Sequence, residues 1–571
     1  MENADVARVL SEVADLLDLT GGSVFRSRAY RQAAQVVDLL PVPVSELWRK
    51  GELTAQPGIG DRMAEHIAEL LKTGVLPEHR RLSARVPPGV LEMLRIEGMG
   101  PKSVALAWKD LHVATIAELE AACRDGRFEA LPRMGPKRVA AILAAIERLR
   151  ARGGRTPLYR ALPAAEALLA RLRAVRGVER AEIAGSLRRH RETIGDIDLL
   201  AAAADPAPVM KALTGAPDVA QILGSGPTKS SVKLEGGLQV DLRVLPVESF
   251  GAALLYFTGS QAHNIALRTR GVRLGLKLNE YGVFDKHGKR LGGATEEEMY
   301  AAIGLPWIPP ELREARGELE AAEKGTLPAL IEEADVLGDL HVHSKRSSDG
   351  RSSLEELAAE AARLGRRYLA ITDHSRSRPL GVTAEQLPAQ IRAVQAADAA
   401  AHGRPHLLTG LEVDILPDGT LDLPNEALAK LDVVVASVHS HFSQPAGEMT
   451  ERMIRAIRSG VVDVLGHPSG RQLGARDAYE FDLEKVLDAA REAGVALEVN
   501  AMPERLDLTD TGCRLAKSHG VRVAISSDAH LASQLGNLRY GVWTARRGWL
   551  EKGDVLNALP LQKLERALAR A

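Results

Sequence analysis

The sequence contains little cysteine and no long apolar run. Its two cysteines, Cys123 and Cys513, lie far apart among 571 residues and form no CxxC pattern, which indicates neither a disulfide framework nor a zinc finger and fits a reducing cytoplasm. The N-terminal segment is an acidic amphipathic helix without the basic start of a signal peptide, and no apolar stretch is long enough to span a bilayer. We therefore expect a cytoplasmic protein without a membrane partner.

An excess of charge is also missing. The formal net charge of -1 neither favours nor forbids a polyanionic partner, because a basic face on one domain can be offset by acidic residues on another. Hydrophobic residues make up 45% and charged residues 26% of the chain, which is typical of globular proteins and excludes disorder along its length. At about 100–200 residues per domain, the chain is expected to form three or four domains.

The hydrophobic periodicity changes along the chain. Helical spacing dominates to about Leu149, a hinge follows around Gly153 to Pro157, and strands then alternate with helices. A Pro-rich stretch from Leu305 to Pro328 predicts the main boundary, beyond which short β-rich runs alternate with helical segments. The predicted fold is multidomain, with all-α N-terminal domains (1–80 and 81–152), an α+β domain (153–304), a linker (305–335) and a distorted βα barrel (336–571).

Three segments of the helical region repeat one pattern, in which an apolar residue or proline precedes a glycine-flanked turn and a helix: QPGIGDRMAEHI, IEGMGPKSVALAW and LPRMGPKRVAAIL. Glycine lets such a turn approach a phosphodiester, and the helix N-terminus offers free N–H groups to an anion. One copy could equally be a ligand-free corner, but three copies favour backbone binding. They resemble helix-hairpin-helix motifs, which bind DNA without regard to sequence, although Arg133 replaces a glycine in the last copy. The expected DNA contacts are Gly58, Gly60, Gly98, Gly100, Lys102, Gly135, Lys137 and Arg138.

Three carboxylates are candidates for a catalytic metal site. Asp196 and Asp198 lie two residues apart, and on a strand this spacing points both side chains to one face. An acidic pair on its own is commonly a surface feature. Asp241, from a second predicted strand, would complete a site for two Mg²⁺ ions ~3.5–4 Å apart.

A glycine–serine turn precedes the acidic pair. Gly185 and Ser186 come before a predicted helix whose N-terminus can take a phosphate, and Arg189 follows one turn later as a charge partner. The resulting signature, GS(x)10DxD, resembles that of the family X DNA polymerases, and the resemblance extends from the N-terminus to about Ile303. It implies a nucleotidyltransferase palm with Mg²⁺ or Mn²⁺, and nucleotide contacts from Gly185, Ser186, Arg189, Gly195, Arg243, Tyr256, Phe257, Gly259 and Asn264.

Some positions carry a particular expectation from that family. Arg243 matches an arginine that engages a metal-ligand aspartate in the inactive conformation. His66 stands where the eukaryotic repair enzyme has its 5′-deoxyribose phosphate lyase lysine, with Arg62 at the neighbouring lysine position. A Schiff base needs an amine that can deprotonate, so the sequence gives little support for lyase chemistry. Gln261 replaces an acid near the incoming base, which leaves nucleotide selectivity open.

Histidines are concentrated in the predicted barrel, where ten of the 16 follow Pro328. One histidine at a strand end is more often a packed or surface residue. Here six successive segments at predicted strand ends carry histidine or carboxylate, and parallel strand ends converge on one rim of a barrel: DLHVHS, TDHS, GLEVD, SVHS, GHP and SSDAH. Such ligands without cysteine suit Zn²⁺, Mn²⁺ or Fe and indicate phosphoester hydrolysis.

Nearly all of residues 336–571 resemble the PHP (polymerase and histidinol phosphatase) domains. The resemblance implies up to three ions, held by His341, His343, Glu412 and Asp528, by Glu412, His439 and His467, and by Asp349, His374 and His530. His441 lies outside this set and is a candidate substrate contact.

The two resemblances occur together in bacterial family X polymerases, whose PHP domain is associated with Mn²⁺-dependent 3′ to 5′ exonuclease activity. They imply a monomeric, nucleoid-associated enzyme of base-excision or end repair. It would fill gapped or nicked DNA from deoxynucleoside triphosphates and trim 3′ ends. Two other functions stay open: the PHP domain could hydrolyse small-molecule phosphates, or the chain could be a DNA-end-binding scaffold without turnover.

Overall fold

The computed structural model describes residues 3–38, 44–56, 58–94, 96, 98–132, 134–151, 155–347 and 349–568. The chain divides into two compact units, residues 1–154 and 155–571. Gly153 of the predicted hinge and Arg133 of the third repeat lie outside the described residues. Among the described residues, no helix is both long and apolar enough to cross a membrane.

The first unit, in its described residues, forms helices and turns only. Apolar residues at helical spacing bury one face of each helix, as Leu10, Val13 and Leu17 do in the first. The helices are α1 (Asn3–Thr20), α2 (Val24–Asp38), α3 (Val44–Lys50), α4 (Asp61–Thr73), α5 (Pro77–Ser83), α6 (Pro88–Met93), α7 (Pro101–Leu111), α8 (Ile116–Arg124) and α9 (Pro136–Ala151).

The three repeated segments fold into one kind of turn. In each, the N–H of a buried apolar residue donates to the carbonyl three residues earlier at 3.0–3.1 Å, and a helix then begins directly after a glycine; the donors are Ile59, Met99 and Met134. Gly58 and Gly98 have φ of 95° and 83°, a conformation that side chains disfavour. The sequence repeat is therefore a structural repeat.

The second unit begins with an α+β domain. Its elements are β1 (Thr156–Pro157), α10 (Leu158–Arg173), β2 (Val178–Ile183), α11 (Gly185–Arg188), β3 (Thr193–Ile194), β4 (Asp196–Ala203), α12 (Ala207–Thr214), β5 (Val219–Ser225), β6 (Lys229–Leu234) and β7 (Gln239–Leu245). Five strands form one sheet in the order β2-β4-β7-β6-β5. Alternation along β4 and β7 buries Ile197 and Val240 and leaves the carboxylates on the opposite face.

A smaller helical and β region follows. Its elements are α13 (Phe250–Thr258), α14 (Gln261–Arg273), β8 (Lys277–Asn279), β9 (Gly282–Phe284), β10 (Arg290–Gly292), α15 (Glu296–Ala302) and α16 (Glu318–Lys324). The stretch predicted as a linker is packed here, because its apolar residues Leu305, Ile308 and Leu312 join the core of this region. The buried Arg313 pairs with Glu296 at 2.7 Å. Much of residues 305–335 is therefore part of the folded unit.

Seven parallel strands then form the predicted barrel, paired in sequence order. The ring closes where Ser527 donates its N–H to Asp339 Oδ1 at 3.1 Å and Val342 pairs with Ala529. The elements are β11 (Gly338–Val342), α17 (Leu354–Arg363), β12 (Tyr368–Ile371), α18 (Leu387–Ala400), β13 (His406–Asp414), α19 (Asn425–Leu428), β14 (Val433–Ser437), α20 (Ala446–Ile457), β15 (Val464–Leu465), α21 (Leu483–Ala493), β16 (Ala496–Asn500), α22 (Asp510–Ser518), β17 (Val523–Ser526), α23 (Leu538–Arg547) and α24 (Leu561–Leu568).

One end of the barrel is covered and the other carries the histidines. Leu564 of α24 packs in one apolar cluster with Tyr368, Val433 and Ala496, which begin three of the strands. The last helix therefore covers the amino ends of the strands. The polar segments predicted to face an active site all lie at the opposite, carboxyl ends.

Candidate active sites

The three carboxylates predicted as a metal site lie on neighbouring strands. β4 and β7 run parallel with Asp198 opposite Asp241, and Asp196 lies on the same face of β4. A Cβ atom on Gly185 would stand 2.2 Å from Asp198 Oδ2, and Gly185 has a φ of 64°. Only glycine therefore lets α11, which begins at this residue, start so close to the carboxylate.

The electrostatics of this carboxylate site favour a cation. Burial, and next the proximity of Asp196 and Asp241, raise the pKa of Asp198 to about 7. Burial alone would also raise the pKa of Asp241, but hydrogen bonds from Gln239, Lys229 and other groups lower it. Oxygen ligands without histidine or cysteine suit Mg²⁺ or Mn²⁺. The residues present therefore fit the expected ions.

Several of the predicted nucleotide contacts are engaged with other parts of the protein. Arg189 Nε lies 3.0 Å from Glu314 Oε1, and the Arg189 side chain is largely buried. The guanidinium of Arg243 lies 4.4 Å above the ring of Phe257, and its positive charge opposes the rise in the pKa of Asp198. Of the remaining predicted contacts, Ser186 is in α11, Gly195 directly precedes β4 and Gly259 follows α13. The ring centroids of Tyr256 and Phe257 are 5.1 Å apart, and Asn264 donates to the Tyr256 carbonyl at 2.6 Å.

In the barrel, Glu412 is the centre of the histidine cluster. Its Oε1 lies 2.9 Å from His467 Nε2 and 3.2 Å from His439 Nε2. Its Oε2 lies 2.7 Å from His374 Nδ1 and 3.5 Å from the Nε2 atoms of both His341 and His343. The two oxygens of one buried carboxylate thus face two different groups of histidines, which is the arrangement expected of a bridging ligand.

The remaining predicted ligands complete the cluster on the other side. His343 Nε2 lies 3.2 Å from Asp528 Oδ1. Asp349 Oδ2 lies 3.2 Å from His374 Nε2 and 3.4 Å from His530 Nε2. The structure therefore brings together all nine residues that the PHP resemblance implied. His441 is exposed and belongs to none of the metal-ligand groups found among the described residues.

The cluster has the chemistry of a metal centre. His341 and His343 are fully buried, yet the Nε2 atom of each forms no hydrogen bond, which is costly unless another partner is bound. Burial, and then His530 and His374, lower the pKa of His343 to about 3, so its ring is neutral as metal ligation requires. Burial opposes ionisation of Glu412, but the surrounding histidines hold its pKa well below the usual range. These residues fit bound metal.

Carboxylates outside the ligand set orient the histidines. His341 Nδ1 lies 2.7 Å from Glu498 Oε1, and His439 Nδ1 lies 2.7 Å from Asp414 Oδ1. Asn500 donates to both Glu498 and Asp528, at 3.1 and 3.0 Å. Such partners fix which ring nitrogen faces a metal.

In the first unit, the predicted DNA contacts differ in their availability. Lys102 and Lys137 are exposed beside their turns. Arg138 instead donates to the Gly98 carbonyl at 3.1 Å and to Ser103 Oγ at 2.9 Å, so it ties two hairpins together. His66, at the lyase lysine position, bonds through Nδ1 to the hydroxyl of Tyr30 at 2.7 Å.

Over its whole length the chain is similar to a known protein of Bacillus subtilis (strain 168), named DNA polymerase/3′-5′ exonuclease PolX. The two are 36% identical over 575 residues, which covers 100% of both chains. The chain belongs to the PolX family of DNA polymerases. Family models match successive parts of this PolX chain: a helix-hairpin-helix domain at 1–76, a SAM-like helix-hairpin-helix tandem at 90–148, the DNA polymerase beta thumb at 253–314 and the PHP domain at 339–502.

Part of this PolX chain is also similar to shorter proteins. It is 31% identical over 235 residues to a probable phosphatase of Thermoanaerobacter sp. (strain X514), which covers 38% of this chain and 89% of the relative. It is 30% identical over 242 residues to a probable phosphatase of Shewanella oneidensis, which covers 40% of this chain and 89% of that relative. Both aligned lengths are about that of the barrel.

Three polar residues of the PolX barrel site were not predicted from the sequence. Glu498, Asn500 and Asp414 support ligands rather than forming part of the expected set. A signal was present, because Glu498 and Asn500 have the same two-residue spacing as His341 and His343 and also end a strand.

Proposed function

We propose that this chain is a DNA-templated, gap-filling DNA polymerase of base-excision or end repair whose PHP domain is a metal-dependent 3′ to 5′ exonuclease. The observation that carries the proposal is the presence of two complete and separate candidate metal sites in one chain. The three carboxylates lie on strands β4 and β7, whereas the histidine cluster lies at the carboxyl ends of the barrel strands.

In nucleotide addition, Asp196, Asp198 and Asp241 would hold the ions. When bound, these ions lower the barrier to attack of the primer 3′-hydroxyl on the nucleotide and neutralise the departing pyrophosphate. The backbone N–H groups at the start of α11 would receive a phosphate. Arg189 pairs with Glu314 through Nε and would offer another N–H of its guanidinium to the triphosphate.

In 3′-end trimming, the nine barrel residues would hold up to three ions. When bound, these ions supply an activated water and Lewis-acid contacts to the phosphodiester. Glu498 and Asp414 would keep the rings of His341 and His439 oriented. Arg505, whose Nε lies 3.5 Å from Asp528 Oδ2, adds a positive charge beside the cluster that would favour an anionic substrate.

The finer properties follow from the same reasoning. We expect Mg²⁺ or Mn²⁺ at the carboxylate site and Mn²⁺, Zn²⁺ or Fe at the histidine site. The polymer substrate would be gapped or nicked DNA, held in part by Gly58, Gly98 and Lys102 of the hairpins. The enzyme would act as a monomer at the nucleoid, in the cytoplasm, with deoxynucleoside triphosphates as the second substrate.

A labelled primer in a one-nucleotide gap tests both activities. With Mn²⁺, we expect the parent to shorten the primer without nucleotides and to extend it with them. His341→Ala should only extend, and Asp198→Ala should only shorten. Loss of both activities in either variant would contradict two independent sites. Binding of gapped DNA without extension or shortening would instead make the chain a DNA-end scaffold.

A second candidate is a small-molecule phosphatase in the barrel. The similarity of a barrel-length part of the chain to probable phosphatases favours it. Hydrolysis of DNA 3′ ends should be compared with hydrolysis of sugar and amino-alcohol phosphates, in the parent and in His341→Ala. Faster turnover of the small phosphates would assign the barrel to this second function.

A further inference from the structure

Side chains of the barrel contact the palm segment that follows α11. This segment, residues 189–192, connects α11 to β3 and so lies just before the catalytic strand β4. The contacts come from three barrel side chains that belong to neither metal site: Arg471, Trp543 and Arg547.

Trp543 of α23 stacks on His190. The ring centroids are 4.1 Å apart and the planes differ by 3°. His190 has a φ of 51°, in the left-handed region that a residue with a Cβ atom seldom adopts. Its backbone conformation is therefore unfavourable on its own, and the stacked indole favours it over alternatives.

Arg547 makes the second contact, through one guanidinium that bonds to three groups. Its Nη1 donates to the Arg189 carbonyl at 2.8 Å and to Glu314 Oε1 at 3.0 Å, while Nη2 donates to Asp510 Oδ2 at 2.7 Å. Glu314 Oε1 also accepts from Arg189 Nε at 3.0 Å. Arg547 thus contacts the backbone of Arg189 directly and its side chain through Glu314.

The held segment is continuous with the polymerase site. Arg191 donates its N–H to the Ser186 carbonyl at 3.0 Å, and Arg189 donates its N–H to the Gly185 carbonyl at 3.3 Å. Gly185 in turn lies directly against Asp198. A shift of residues 189–192 would therefore move the start of α11 relative to the catalytic carboxylate.

We infer that Trp543 and Arg547, although they belong to the barrel, are positioning residues for nucleotide addition in the palm. They fix the loop that carries Arg189 and, through it, the start of α11 beside Asp198. The inference rests on the proposed polymerase function and adds a role for the barrel that is independent of its metal centre.

Variants of the full chain test it: Trp543→Ala, Trp543→Phe and Arg547→Met. We expect Trp543→Ala and Arg547→Met to lower kcat/KM for nucleotide addition roughly 10- to 100-fold, since a misplacement of about 1 Å can cost that much. The KM for the nucleotide should rise more than kcat falls, because phosphate contacts are displaced. Primer shortening should be unchanged, and Trp543→Phe should recover most of the addition activity because it keeps a stacked ring.

The matched control is Arg366→Met. Arg366 is also a buried barrel arginine, which bonds to the Val336 carbonyl and pairs with Glu333, but it is remote in these contacts from residues 189–192. The thermal unfolding midpoint of each variant is compared with that of Arg366→Met, so that a loss of activity caused only by lost stability is recognised. The inference is overturned if Trp543→Ala and Arg547→Met lose no more addition activity than Arg366→Met, or if they lose addition and shortening equally. A parent that cannot extend a primer would overturn the proposed function itself.

Discussion

The two candidate metal sites of this chain are built in opposite ways. The palm site has three carboxylates on two adjacent strands, and Asp196 is exposed. The barrel site has nine candidate ligands, most of them buried and near strand ends, with supporting carboxylates behind them. Mg²⁺ is commonly bound by one or two carboxylates together with substrate phosphates. We therefore expect the palm site to depend on its nucleotide for completion and the barrel site to hold metal without substrate.

The largest expected effect separates the two sites. Asp198→Asn removes one carboxylate charge while keeping the shape of the side chain. Metal-ion stabilisation is worth several kcal/mol, so nucleotide addition should fall about 10³-fold. Single-turnover extension of a gapped primer measures it. Primer shortening by the same preparation is the control, and a parallel loss of shortening would show that the sites are not independent.

The next prediction concerns metal retained without substrate. Glu412→Gln removes the charge that faces both groups of histidines, so the variant should lose most of its bound metal during dialysis, together with primer shortening. Elemental analysis of the dialysed protein gives the metal content per chain. Asp198→Asn is the matched control and should retain as much metal as the parent. Equal metal loss in the two variants would break the contrast between the sites.

A smaller effect on metal binding is expected from a carboxylate that contacts a candidate ligand. Glu498→Gln weakens the acceptor of the His341 Nδ1 proton, and loss of such a partner typically costs 10- to 100-fold in metal affinity or activity. A metal titration followed by the rate of primer shortening measures this cost. Asp463→Asn provides the comparison, because Asp463 is a buried barrel carboxylate that accepts the Val434 N–H at 2.8 Å. If both variants behave alike, Glu498 has no special role at the metal centre.

The ligands themselves could be predicted from the sequence for a physical reason. In a parallel βα barrel, alternation makes residues two apart share a face, and all strand ends converge. His341 and His343 have this two-residue spacing at the end of β11. The same alternation placed Asp196 and Asp198 on one face of β4, and Asp241 on its neighbour.

Contacts between distant segments could not be predicted from the sequence. The contacts of Trp543 with His190 and of Arg547 with Arg189 join residues more than 350 positions apart in sequence. Local periodicity carries no information about contacts between such distant residues. The expected linker is a related case. Prolines between Leu305 and Pro328 predicted a linker at a domain boundary, but several apolar residues among them are buried. Proline content limits regular structure, whereas burial depends on what lies opposite in the fold.

The smallest expected effect lies at the junction of palm and barrel. Burial alone would raise the pKa of Glu311, but His190 and Arg546 overcome it and lower the pKa to about 2. Because the pKa of Glu311 is lower in the folded protein, its ionisation stabilises the fold. This stabilisation is fully present at a pH above the ordinary pKa of 4.5 and is lost as the pH falls toward 2. We expect a loss of about 1 kcal/mol by a pH of roughly 3.5. Thermal unfolding at pH 6 and at that lower pH measures it. The difference should shrink in Glu311→Gln but not in Glu320→Gln, whose side chain is exposed; an unchanged difference in both would place the acid-sensitive group elsewhere.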